Sequence, residues 1–447
     1  MAGNRLGTFY SLMTFGESHG PYIGVVIDGI KPGLPIDVEE IQREMNRRRP
    51  GQSAVTTPRQ EKDRIQIVSG IFQGKTTGTP ICILIPNEDP RSKDYSHLKE
   101  IFRPGHAAFT YLKKYGIFDY RGGGRASGRE TAARVAAGAI AKQVLRDRGI
   151  RFYGFTRQVG PYRAEQVDYQ FIEQNPVRCC DPEMAPRMEA FIREVAAAGD
   201  SIGGIVELHI QGLPAGLGDP VFEKLDAELA HGLMSIGAVK GIEFGEGFRV
   251  AELRGSENND PFHVTDTGEI LPRTNHAGGV LGGISTGRDV VLRLAVKPPS
   301  SIGKAQVTVD HAGREVTYST GGRHDPCICP RVVPVAEAMA ALVVLDLLLV
   351  QEAIADSTRA GPTPDEQALA LTEAQLLLLL RRRAELRERL SEAGTSPVQV
   401  GKPETPGASA TPPADLEAWC AELDLPVEPV RRLWEILAEV HLVEGGG

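Results

Sequence analysis

The sequence is poor in cysteine, and its six cysteines (Cys82, Cys179, Cys180, Cys327, Cys329 and Cys420) include no C-x-x-C pair. That argues against a disulfide framework and for a cytosolic, hence cytoplasmic, protein with reduced thiols. Cys327-x-Cys329 supplies two ligands where a tetrahedral site needs further ones at suitable spacing, so no metal is expected. The first residues, MAGNRLGTFYSLMTFG, have no apolar h-region, so no secretory signal is expected. An uninterrupted apolar run of membrane length is also missing. The longest, VAEAMAALVVLDLLLV (Val335–Val350), is broken by Glu337 and Asp346 and reads as a buried helix, with no membrane partner. Nor is there an excess of positive charge. The 50 basic and 58 acidic residues give a net charge of −8, which argues against a general nucleic-acid binder. Neither G-x-x-x-x-G-K-[ST] nor G-x-G-x-x-G after a clean strand occurs, which removes two common nucleotide cradles.

What is present falls into two regimes over 447 residues. Up to about Ala353 the chain is rich in glycine, with short runs such as IGVVIDGI, RIQIVSGIF, PICILIP, GGIVELHI and DVVLRLAV that read as strands between turns. Four helical stretches lie among them: RETAARVAAGAIAKQVLRDRG (Arg129–Gly149), PEMAPRMEAFIREVAAAGD, PVFEKLDAELAHGLMSIG and the apolar run started by Pro334. Without regular βαβ alternation, the class is α+β with antiparallel sheets. Residues 1–355 form one domain, 356–370 a linker, and 371–447 a helical extension with a flexible spacer around 400–414. Both tryptophans, Trp419 and Trp434, lie in the extension.

Several glycine turns carry arginine or histidine. YRGGGRASGRET runs three glycines into Arg125, Ser127 and Arg129 at a helix start, where unpaired N–H groups and the macrodipole favour an anion. Ser127-x-x-Glu130 also fits a capping box, so a plain capped helix is the alternative there. RRRPGQS carries Arg47, Arg48 and Arg49. FRPGHAAF sets Arg103 three residues before His106. NHAGGVLGGISTG is followed by VKPPSSIGK with Lys297, Ser300 and Ser301, and GGRHDPCICP holds Arg323, His324 and Asp325. Each turn is weak alone, and together they suggest a large polyanionic ligand.

G-E-S-H-G, Gly16–Gly20, satisfies the nucleophile-elbow pattern of serine hydrolases. An elbow serine needs a strand before it and a helix after it, whereas PYIGVVIDGI reads as a strand and no earlier strand is evident. His19 is therefore read as a proton donor, with Ser18 orienting or relaying.

Long stretches of residues 1–350 carry a resemblance: TFGESHGPYIGVVIDGIKPGLP, RRRPGQS, SKDYSHLKEIFRPGHAAFTYLKKYGIFDYRGGGRASGRET, PAGLGDPVF, SIGAVKGIEFGEGF, NHAGGVLGGIS and GRHDPCICPRVVPVAEAM. They are similar to the chorismate synthase family. The resemblance implies a β-α-β sandwich, with a helical layer between antiparallel sheets, assembled as a homotetramer. It implies a carbon–oxygen lyase acting on 5-enolpyruvylshikimate 3-phosphate, which loses phosphate and a C6 hydrogen by 1,4-anti elimination to give chorismate. Reduced FMN is required without net redox change, with NADPH or a separate flavin reductase as the source of reductant. Carried over by motif, His19 would protonate the leaving phosphate and His106 the flavin, with Asp325, Ser18 and Ser127 as a relay. FMN contacts would fall on Arg125, Ala126, Ser127, Gly237, Ala238, Gly282, Lys297, Pro298, Pro299, Ser300, Ser301 and Arg323, and substrate anions on Arg48, Arg103 and Arg129.

Ala54 departs from the pattern, standing where the family usually has an arginine; two outcomes stay open, compensation by Arg49 or Arg59, or a low substrate affinity. Ala126 and Gly128 stand in for a more usual serine and alanine. The extension beyond about residue 360 lies outside the usual family. LLLLLRRRAELRERL is faintly similar to the all-helical chorismate mutases, with Arg383 in place but Gly394 where a lysine is expected. Three readings stay open for it: an interaction or oligomerisation segment, a degenerate mutase-like module and a working one.

Overall fold

Alternation within the short apolar runs decides which face of each strand is inside. In strand β7 (Ile81–Pro86), Ile81, Ile83 and Ile85 are fully buried while the residues between them are only partly covered. The structure, a computed structural model, describes residues 3–52, 55–56, 61–88, 99–266, 268–320 and 324–358, together with Arg431. The chain divides into two compact units, Met1–Ala360 and Gly361–Gly447. All the elements named below belong to the first unit.

Two five-stranded antiparallel sheets form the outer layers. The first runs β1 (Arg5–Leu6), β2 (Ser11–Gly16), β3 (Tyr22–Asp28), β7 and β4 (Gln66–Ile67). The second runs β11 (Val239–Phe244), β16 (Val290–Val296), β10 (Gly204–Gln211), β8 (Arg151–Val159) and β9 (Tyr162–Arg163). Four small hairpins decorate them: β5 (Ile71–Phe72) with β6 (Lys75–Thr76), β12 (Phe262–Val264) with β13 (Ile270–Pro272), β14 (Val280–Leu281) with β15 (Ile284–Ser285), and β17 (Gln306–Val309) with β18 (Glu315–Tyr318).

The helices are α1 (Val38–Arg48), α2 (Ala108–Tyr115), α3 (Thr131–Arg146), α4 (Met184–Ala197), α5 (Leu225–Met234), α6 (Gly255–Asn258) and α7 (Cys329–Thr358). Helix α3 packs on β3 and β7, α7 packs on β8 and β10, and the two helices pack on each other. This is the expected helical layer between antiparallel sheets. Being covered on both sides, α3 is built from alanine with apolar residues on nearly every face. Its Gly138 is required: a Cβ there would stand 2.4 Å from Ala338 Cβ, so the helices cross at this pair.

Charges inside this layer are paired. The buried Glu337 accepts from Arg47 Nη1 and Lys142 Nζ, each at 2.6 Å, and from the Gly154 N–H. Burial acts to raise its pKa, but the two cations overrule that and hold it well below the usual carboxylate range. Asp346, the other break in the apolar run, accepts from the N–H groups of Thr8, Phe9 and Tyr10.

Some local expectations are corrected. Helix α7 begins at Cys329, so Pro334 lies inside it. Proline cannot donate to the Pro330 carbonyl one turn back, and Arg178 Nη1 fills that acceptor at 2.6 Å. The run RIQIVSGIF is two strands rather than one, because Gly70 turns at φ +83°, where a Cβ would stand 2.5 Å from Ile81. Strands β1 and β2 do precede Ser18, contrary to the expectation that none would.

Candidate active site

The turn bearing Ser18 and His19 closes the β2–β3 hairpin, whose last paired residues are Gly16 and Ile23. No helix follows, so the elbow architecture of a serine hydrolase is not formed. Both side chains are buried. Ser18 Oγ lies 3.1 Å from His19 Nδ1 and 3.5 Å from the Arg121 carbonyl oxygen. A hydroxyl donating to that carbonyl accepts from Nδ1–H, which ties the Nδ1 side of the His19 ring to Ser18.

The three-glycine loop explains its own composition. Gly122 and Gly123 adopt φ +62° and +91°. A Cβ on Gly122 would stand 2.3 Å from His19 Cε1, and one on Gly123 would stand 3.1 Å from His106 Nε2. Two adjacent glycines therefore bring the two imidazoles against one stretch of backbone, although 87 positions separate them in sequence.

His106 sits in a cationic setting. Arg103 Nη2 lies 3.0 and 2.7 Å from its two ring nitrogens, and Nδ1 accepts from the Ala108 N–H. Burial first, then the charges of Arg103 and Lys297, lowers its pKa to about 3. The ring is neutral at pH 7.

Residues 297–301 join the same place. Lys297 N donates to the Ala238 carbonyl, and Lys297 Nζ donates to the Gly105 carbonyl at 3.1 Å. Ser300 Cβ would be 3.2 Å from a Cβ on Gly105. The Pro299 carbonyl accepts from Ser201 Oγ. Ala238 holds φ +75°, and neither Gly237 nor Gly282 has any atom within 4 Å of where a Cβ would stand. Gly282 lies at the tip of the β14–β15 hairpin. Arg323, Ala54 and Arg59 lie outside the described residues.

The arginines divide. Arg103 faces His106, whereas Arg125 turns back to β2 and donates to Thr14 Oγ1 at 2.8 Å and Asn4 Oδ1 at 2.9 Å. Arg48 and Arg129 are buried on the shared carboxylate of Asp63, Arg48 Nη1 at 2.8 Å. Arg48 also donates to Thr131 Oγ1 and the Gly128 carbonyl, and Arg129 to Asn87 Oδ1 and the Pro86 carbonyl. Burial lowers the Arg48 pKa to about 9, with Asp63 opposing, and the guanidinium stays charged at neutral pH. These two expected anion ligands thus spend their donors inside the protein.

The three relay candidates have separate partners. Ser127 accepts from the Arg129 N–H, and Glu130 pairs with Arg134, so the expected capping box is not formed. Asp325 accepts from Arg331 Nη1 at 2.6 Å, while Arg331 Nε donates to the Arg48 carbonyl. Sequence reasoning missed Asp63 and Asn87, which bear no motif and are recognisable only by what they hold.

Residues 10–349 match the family model described as chorismate synthase. The chain is 54% identical over 354 residues to the chorismate synthase of Methanosarcina acetivorans, covering 78% of this chain and 97% of that protein. It is 53% identical over 351 residues to that of Chloroflexus aurantiacus, covering 78% and 96%. The chain belongs to the chorismate synthase family. A solved structure titled "Crystal Structure of Chorismate Synthase" superposes with a TM-score of 0.62 at 30% identity, over 77% of this chain and 93% of that one. Chorismate synthases thus share both the sandwich and the region holding the two histidines. The family match ends at residue 349, and the mutase-like resemblance falls on residues outside those described.

Proposed function

We propose that this chain converts 5-enolpyruvylshikimate 3-phosphate to chorismate by 1,4-anti elimination of phosphate, with reduced FMN and no net redox change. The observation that carries the reading is the meeting of His19 and His106 at Gly122–Gly123, beside Arg103 and Lys297, in a member of this family. The substrate bears a phosphate and two carboxylates, which calls for cations in a partly desolvated site.

His19 takes the acid's part. With Nδ1–H held by Ser18, the imidazolium form carries a second proton on Nε2, which it would pass to the departing phosphate oxygen. The neutral His106 can handle a proton at the flavin, and an anion drawing Arg103 away would raise its basicity.

The residues present fit a flavin mononucleotide. Open backbone at Gly237 and the left-handed Ala238 leave room for a planar ring, and Lys297, Ser300, Ser301 and Ser127 offer a cation and hydroxyls for a phosphate. When bound, reduced FMN would supply the electron density that eases C–O cleavage and take it back with the C6 hydrogen. The protein's share is to orient, exclude water and place protons. Assembly as a homotetramer, a cytoplasmic location, and reductant from NADPH or a flavin reductase complete the proposal.

Anaerobic incubation with chemically reduced FMN and the substrate, following chorismate and phosphate together, tests it. Equal release of both is expected. Flavin binding without either product would overturn the activity and make position 54 the first to restore to arginine.

A further inference from the structure

The geometry points to Asn87 as a positioning residue that fixes the Ser18–His19 turn and ties it to the buried arginine pair; its kinetic consequence rests on the function proposed above. Asn87 follows β7 and belongs to none of the sequence motifs. Its side-chain Nδ2 donates to the Glu17 carbonyl at 3.0 Å and to the Gly20 carbonyl at 2.7 Å. Those residues are the two ends of the turn, which Gly20 N closes onto the Glu17 carbonyl at 3.0 Å. Ser18 and His19 are its two central residues. On the other side of the amide, Oδ1 accepts from Arg129 Nε at 2.8 Å. The backbone N–H adds a bond to the Pro21 carbonyl at 3.1 Å.

The orientation of the amide follows from chemistry. Two carbonyls on one side require donors, and a guanidinium on the other requires an acceptor, so a flipped amide would face repulsion on both sides. A neutral amide alone offers two donors and one acceptor in one plane, which aspartate, serine and leucine do not. Through Arg129 the clamp reaches Asp63 and Arg48, and so the C-terminal end of α1. The turn holding His19 is thereby fixed from outside its own hairpin. Misplacing a reacting group by about 1 Å can cost about 100-fold in rate.

The test uses the full-length protein and the substitution N87D. Aspartate keeps an acceptor for Arg129 but sets an oxygen against two carbonyls, so it releases the turn selectively. The expected result is a loss of about 10- to 100-fold in kcat, with KM changed far less. The ring nitrogen resonances of His19, read by NMR at fixed pH without substrate, should shift as its bond to Ser18 loosens. N87S, which cannot span both carbonyls, carries the same expectation if N87D fails to fold. A purely structural role would lower the melting temperature while leaving kcat per folded site and the His19 resonances unchanged, and that result overturns the inference. A fall in kcat with unmoved His19 resonances overturns it as well. Should the wild type make no chorismate, the function fails, while the His19 resonances still decide whether Asn87 holds the turn.

Discussion

At the scale of single residues, His106 is a histidine whose surroundings move its titration out of the neutral range. Burial, Arg103 and Lys297 lower its pKa from 6.5 to about 3. Below the ordinary value the unfolded chain takes up this proton, while the folded protein does not until about pH 3. The unfolded state thus binds more protons over that window, and stability falls as the pH drops through it. Glutamine at this position cannot titrate. His106→Gln should therefore melt near the wild type at neutral pH and lose less stability on acidification. Its turnover should fall by about 100-fold or more, in the range expected for loss of a proton-handling group. Thermal melts across the acid range and a chorismate assay read the two effects separately. Parallel melting curves would show that His106 titrates normally, and wild-type turnover would remove it from the reaction.

At the scale of elements, Asp63 is the joint. It binds Arg48, the last residue of α1, and Arg129 in the short turn of helix before α3. Burial acts to raise its pKa, but Arg48 and Arg129 overrule this and keep it below its ordinary 3.8. The stability it contributes is complete above that value and is lost as the pH falls through the lower folded one. Asp63→Asn keeps the shape but leaves two buried cations undercompensated, a change of about 3–5 kcal/mol. The urea midpoint should fall with the slope unchanged; an unmoved midpoint would mean the arginines find another anion. Nothing in QEKDRIQ announces this role, because a buried ion-pair hub is defined by residues distant in sequence. The glycine loop was legible for the opposite reason: three glycines in a row before a helix strip the backbone of every Cβ, which marks a place where other groups come close. Likewise α3 and α7 show their length and apolarity in sequence, whereas β2 and β8 mix threonine, arginine and glutamine among apolar residues and become strands through their neighbours. The start of α7 was hidden because Pro334 reads as a first helical residue until Arg178 is seen to satisfy the carbonyl it abandons.

At the scale of the molecule, the question is what residues beyond Ala360 contribute. The two sheets, the helical layer, both histidines, Asn87 and Lys297 all belong to the unit Met1–Ala360. The relatives from Methanosarcina and Chloroflexus are matched over 97% and 96% of their own lengths by 354 and 351 residues, so they manage without a comparable extension. A chain truncated after Ala360 should therefore release chorismate and phosphate at the full-length rate and melt at the full-length temperature. Light scattering on both forms separates the alternatives. A smaller assembly with intact turnover per site assigns the extension to oligomerisation, and a lower kcat with unchanged mass and melting would draw it into the reaction. Chorismate added to each form completes the comparison: neither should yield prephenate, because the expected lysine position holds Gly394. Prephenate from the full-length chain alone would make the extension a working mutase and the protein an enzyme of two consecutive steps.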